Sequence, residues 1–191
     1  ASQDEFFQPD SANFFFQELS GEKYLRVLPG ADHAFSSTFN VTDVLVSINS
    51  FFKMVVDNVA SPTGLHWNLV KTTSRWSYAH IVAISNITPK RALMYSTNTI
   101  STTQRDFRLF ACYTATGYGC YKGLIWNTTV VPPTNNAYYV ASRKAPVAGW
   151  GLFFLEFTYE IGGDEFKVTS EVNIVPDTLP FASCGTSCGS A

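Results

Sequence analysis

The sequence predicts an α/β segment over residues 1–60, an antiparallel β-sandwich over residues 61–183, and a Cys/Gly/Ser tail over residues 184–191. Three observations carry that prediction. The hydrophobic period is near four residues before Ser61-Pro62-Thr63-Gly64 and near two after it. Beyond that linker, short apolar-alternating runs are separated by turn residues. Hydrophobic residues make up 46% of the chain and aromatic residues 15%, which excludes intrinsic disorder and supplies a core.

Taken in order, Asp10 or Ser11 is placed to cap a short helix carrying Phe14, Phe15 and Leu19, stopped by Ser20-Gly21. Lys23–Leu28 reads as a strand and Pro29-Gly30 as the loop that ends it. Thr42 or Asp43 caps a longer helix, because Val44, Leu45, Ile48, Phe51, Phe52 and Val55 form one stripe at helical spacing. Such a stripe must pack on something. Strands are then predicted at Leu65–Lys71, Tyr78–Ile84, Arg91–Asn98, Asp106–Tyr113, Gly123–Val131, Ala137–Ser142, Leu152–Ile161 and Lys167–Ile174. Gly162-Gly163 supplies a hairpin turn between the last two. In the final run Val168, Ser170, Val172 and Ile174 share one face, leaving Lys167, Thr169, Glu171 and Asn173 for water. This many short antiparallel strands suggests a sandwich of immunoglobulin or fibronectin-III type.

Charge excludes some functions. With 13 Lys and Arg against 15 Asp and Glu, the net charge is −2, so nothing draws the chain to nucleic acid or anionic membrane. No apolar run is long enough to span a bilayer as a helix. The chain opens Ala1-Ser2-Gln3-Asp4 without Met or a charged-then-apolar leader, so any signal peptide is expected to have been removed already, and the chain is equally open to being a fragment. Three sequons, at Asn40, Asn86 and Asn127, are candidate glycosylation sites and fit a secreted, extracellular location. The four cysteines fit it too. Three connectivities are open to them, and local pairing of Cys112 with Cys120 and of Cys184 with Cys188 is the expectation. Zinc is disfavoured by the spacing and by the lack of a nearby His, and no metal or cofactor is expected.

One constellation looks catalytic. Asp4 precedes His33 with a helix and a strand between them, the chain order of the last two members of an α/β-hydrolase triad. In that reading Asp4 holds the imidazole in the right tautomer and His33 takes the nucleophile's proton. A turn-capping Asp and an ordinary loop His are the alternative. His66 and His80 read as structural, and the tryptophans as core.

The wording of Asp4-Glu5-Phe6-Phe7-Gln8-Pro9-Asp10 and of Lys23-Tyr24-Leu25-Arg26-Val27-Leu28-Pro29-Gly30-Ala31-Asp32-His33 resembles the C-terminal half of the PhoPQ-activated pathogenicity-related family. Arg105–Leu109, Gly149-Trp150, Phe153–Glu156 and Val175–Phe181 resemble it as well, so the likeness runs nearly end to end. It implies the C-terminal portion of an α/β-hydrolase-like domain followed by the β-sandwich, in a secreted or cell-surface protein, with Asp4 and His33 as acid and base. Most of the hydrolase sheet and its nucleophile would lie upstream. The single G-x-S-x-G match, Gly185–Gly189, sits in the tail with no helix after it and cannot build a nucleophile elbow.

Three functions remain open on sequence. They are an extracellular signalling or interaction protein, part of a serine hydrolase acting on a peptide or ester, and a structural extracellular glycoprotein subunit. The expected partners are the upstream part of the same protein or a separate chain covering the apolar face of residues 1–58, and a cell-surface receptor.

Overall fold

The computed structural model describes residues 1–35, 41–57, 64–110, 121–135 and 137–182. Among them the fold is mixed, with one α-helix, α1 (Val41–Val56), and two antiparallel sheets. The strands are β1 (His66–Val70), β2 (Tyr78–Ile84), β3 (Arg91–Asn98), β4 (Asn127–Val130), β5 (Pro133–Asn135), β6 (Tyr138–Lys144), β7 (Gly151–Ile161), β8 (Asp164–Thr169) and β9 (Asn173–Val175). One sheet runs β1-β2-β6-β5 and the other β4-β3-β7-β8, with β9 paired to the start of β7.

The two sheets meet through period-two alternation. Small residues Ala79, Ala83 and Ala141, with Ile81 and Tyr139, come from the first sheet. Phe153, Leu155, Phe157 and Tyr159 of β7 face them, so large side chains enter the space that alanines leave. Burial of each such aromatic or leucine contributes about 1.5–3 kcal/mol. The opposite face of β7 is also covered. Leu152 and Phe154 pack there with Val27, Phe107, Leu124 and Trp150, which come from irregular segments laid over the second sheet. Hence β7 is buried without a break from Gly151 to Tyr159.

That outer cover explains where the structure departs from the sequence reading. Of the four residues expected to be wet in the last predicted strand, Lys167 is half-buried and the other three are buried, Thr169 and Asn173 completely and Glu171 at 4% exposure. Each is satisfied. Thr169 Oγ1 accepts the Val27 N–H, Asn173 donates to the carbonyls of Val70 and His80, and Glu171 accepts from Gln17 and Trp67. The run expected as one strand is split into β8 and β9, because the Ser170 hydroxyl takes the Leu155 N–H at 3.0 Å in place of a ladder carbonyl.

Three other elements differ. Lys23–Leu28 lies beside β8 as cover with no strand ladder, the Thr169 side chain replacing one backbone partner. The predicted Ser11–Leu19 helix is two 3₁₀ turns, Ser11–Phe14 and Phe16–Glu18. The Asp10 carboxylate that would cap it pairs instead with Arg105. In the described part of Asp106–Tyr113, the Asp106 side chain accepts the Arg108 N–H at 3.1 Å and turns the chain, leaving a single bridge between Phe110 and Tyr121.

Helix α1 forms where predicted, yet it packs on β8 through Ser47, Ser50 and Met54. Charges fix that orientation. Asp43 pairs with Arg26 and Lys167, and Arg26 also reaches Glu156 at 2.6 Å. Leu45, Ile48, Phe51, Phe52, Val55 and Val56 therefore stay exposed. No helix of the described residues is long and apolar enough to cross a membrane.

Candidate functional site

Gln3 is the residue that positions the site. Ser2 and Gln3 run beside residues 28–31, their N–H groups donating to Leu28 O and Ala31 O. The Gln3 carbonyl accepts from the Leu109 N–H, its Oε1 from the Trp126 indole at 3.0 Å, and its amide donates to Lys122 O at 3.2 Å. The side chain is 2% exposed, so the next residue leaves a fixed point. On the facing segment Gly30 turns the chain at φ 75°, a conformation that only glycine adopts freely, and its N–H donates to the Ser2 hydroxyl at 2.8 Å.

Asp4 and His33 are brought together by this pairing. His33 Nδ1 lies 3.1 Å from Asp4 Oδ2 and 3.2 Å from Oδ1. Asp4 Oδ1 also accepts the N–H groups of Phe6 and Phe7, at 2.8 and 3.0 Å. Burial pushes the Asp4 carboxyl up, but these two N–H groups and the imidazole outweigh it and hold it below the usual range. An ionised carboxylate only accepts, so Nδ1 carries a proton, and in the neutral form of the ring Nε2 is the acceptor. The His33 side chain is 48% exposed, its backbone N–H is held by Glu5, and the Phe6 ring meets the imidazole edge-on at 4.7 Å. Phe6 and Phe7 are themselves largely exposed and wall the ring on one side. Among the described residues, no Ser, Thr or Cys side chain bonds to the imidazole.

The remaining sequence candidates fall elsewhere. Asn86 is exposed in the turn after β2, against Gly64, and Asn127 is exposed at the start of edge strand β4. Asn40, Cys112, Cys120, Cys184 and Cys188 lie outside the described residues. His80 bonds the Ser142 hydroxyl at 2.8 Å, and Trp150 is core while Trp76 is 84% exposed. Asp106 is chelated by Arg108 and Lys122, which lower its carboxyl against the upward push of burial. Sequence reasoning missed Gln3, Arg26 and Glu156, since single polar residues contacting distant segments leave no periodic signal.

No solved structure matches the chain. Over 99% of its length the chain is 36% identical to autocrine proliferation repressor protein A of Dictyostelium discoideum, and it spans 40% of that protein. Residues 1–108 match the family described as PhoPQ-activated pathogenicity-related protein. Both segments that build the Asp4–His33 pair lie within those residues, and the chain belongs to the PhoPQ-activated pathogenicity-related protein family.

Proposed function

We propose that the chain is the C-terminal part of a longer secreted, α/β-hydrolase-related protein that acts outside the cell as a signalling or interaction protein of the autocrine proliferation repressor kind. In this reading residues 1–60 close a hydrolase-like domain and residues 61–183 form an immunoglobulin- or fibronectin-like sandwich. The observation that carries it is the outward apolar face of α1. Leu45, Ile48, Phe52 and Val55 are each more than half exposed, a surface of the kind that marks an interface. The relative is more than twice the length of this chain, which supplies a partner for that face in the rest of the same protein. Glycans on Asn86 and Asn127, both exposed, belong to the secreted reading.

A second reading rests on the Asp4–His33 geometry. Joined to a segment carrying a serine on a strand–turn–helix elbow, the pair would serve as acid and base of a hydrolase acting on a peptide or ester. One experiment separates the two. Purified full-length protein, wild type and His33→Ala, is applied to proliferating cells and in parallel to a fluorophosphonate probe. Slowed growth with both proteins and no labelling supports signalling by binding. Labelling and growth effect both lost in His33→Ala supports the hydrolase. No growth effect from either protein overturns the signalling reading.

A further inference from the structure

Three loops meet at one end of the two facing sheets: residues 71–77 between β1 and β2, residues 99–104 after β3, and residues 145–150 between β6 and β7. Strand register brings them together, since Tyr78 lies opposite Lys144 and Asn98 opposite Gly151. Hydrogen bonds then brace each loop against the next. Arg75 donates to the Gly149 carbonyl at 2.8 Å, and its guanidinium lies 5.9 Å from the Trp150 ring centroid. The Thr99 N–H donates to the Trp150 carbonyl at 2.8 Å, and the Trp150 N–H donates to Thr99 Oγ1 at 3.1 Å. Each braced loop nevertheless leaves one large apolar side chain in water. Trp76 is 84% exposed, Ile100 62%, and Val147 wholly. Apolar residues exposed singly are ordinary, but three on adjacent loops at one end of the fold are not a scatter.

The charge at this end is one-sided. The three loops hold no Asp or Glu. At their bases Lys71 pairs with Asp177 at 3.8 Å and Arg105 pairs with Asp10, so those charges cancel. Arg75, Arg143 and Lys144 are left over. Arg143 meets neutral acceptors, the Leu152 carbonyl at 2.9 Å and the Asn98 side-chain oxygen at 2.6 Å, while Lys144 Nζ sits 5.8 Å from the Trp76 ring centroid. No carboxylate among the described residues pairs with any of the three. The net charge of −2 is a sum over the whole chain and hides this local excess. Aliphatic tips, an exposed indole and unpaired cations together match a lipid surface: the tips enter the acyl boundary, the indole rests at headgroup level, and the cations meet anionic headgroups. An acidic polysaccharide would use the cations alone and gives Ile100 and Val147 nothing to bury against.

We infer that this end of the facing sheets docks on an anionic lipid surface, with Trp76, Ile100 and Val147 inserted and Arg75 and Lys144 against the headgroups. The site is separate from the Asp4–His33 pair and from the outer face of α1, and it does not rest on the signalling reading. The test is co-sedimentation of full-length protein with vesicles of phosphatidylcholine and phosphatidylserine and with vesicles of phosphatidylcholine alone. Tryptophan fluorescence is read in parallel on mixed vesicles with brominated acyl chains. Binding to the mixed vesicles is expected, weaker on phosphatidylcholine alone and weakened by salt, with bromine quenching that Trp76→Ala removes. Trp76→Ala should weaken binding about tenfold and Lys144→Gln about fivefold. Both side chains are exposed, so neither change removes a bond that braces the loops. An absence of binding to the mixed vesicles overturns the inference. Binding that neither variant weakens places the contact elsewhere and overturns it too, as does binding to heparin in place of vesicles, which assigns the cations to an acidic polysaccharide.

Discussion

Asp4 does two things with one carboxylate, and they separate on mutation. Its Oδ1 holds the Phe6 and Phe7 N–H groups, while Oδ2 and Oδ1 together face the imidazole. Asp4→Ala removes the acceptor from both N–H groups and should cost about 1–2 kcal/mol, in the range of a lost cap. Asp4→Asn keeps Oδ1 and should cost less than half as much. Urea unfolding of the two variants checks this, and equal losses would show that charge, not the turn, holds the segment. Gly149 is a second sensitive position, at φ 72° with a Cβ there 2.8 Å from the Ser101 carbonyl oxygen. Backbone cannot move aside as a side chain can, so Gly149→Ala should destabilise by about 1–3 kcal/mol in the same measurement. The contact between Asp4 and His33 was legible from their chain order together with the family resemblance. The rivet beneath it was not, since nothing about a lone Gln3 announces contacts with Leu109, Lys122 and Trp126.

Helix α1 shows what a pattern can and cannot say about an element. The stripe of Val44, Leu45, Ile48, Phe51, Phe52 and Val55 located the helix to within a few residues, but periodicity gives a face and not the neighbour it faces. The neighbour is set by charge. Asp43 on the helix, Arg26 on the covering segment, Lys167 on β8 and Glu156 on β7 form a chain of pairs whose middle member, Arg26, is 16% exposed. Burial pushes the Asp43 carboxyl up, and Lys167 and Arg26 more than reverse it. Removing both charges of the buried pair should therefore cost less than the two single removals added together. Glu156→Gln leaves Arg26 with half its compensation and should cost about 3 kcal/mol. Adding Arg26→Met to it should cost less than the sum of the single changes, because no buried charge is then stranded. A double-mutant cycle by denaturant unfolding measures this, and strict additivity would mean that the pairs do not hold α1 in place.

Across the whole molecule, the strands facing one another between the sheets were the most legible part, since alternation such as Ala79, Ile81, Ala83 directly encodes an inward face. The misread elements share a physical cause. Lys23–Leu28 and Asp106–Phe110 belong to the cover over the second sheet, and Thr169, Glu171 and Asn173 lie in or between β8 and β9; in all of them side-chain bonds stand in for ladder bonds or join segments distant in sequence. That cover is also where the depressed carboxyls lie: Asp4 ties down the N-terminal segment, Asp43 ties down α1, and Asp106 ties down the loop carrying Phe107. A carboxyl whose folded pKa is below its unfolded value contributes stability that is complete above the unfolded value, about 3.9, and is lost as pH falls through the folded value. The facing sheets are joined by apolar contacts that do not titrate. Acid should then strip the molecule from the outside. As pH drops below about 4, hydrogen exchange should rise first in residues 1–35, 41–57 and 105–109 while β2, β3, β6 and β7 remain protected. Exchange followed by mass spectrometry from pH 7 to pH 2.5, with rates corrected for the intrinsic pH dependence, tests the order of loss. Protection lost uniformly across both groups would mean that the cover and the sheets form one cooperative unit, and that the three carboxylates stabilise the whole fold and not its outer layer.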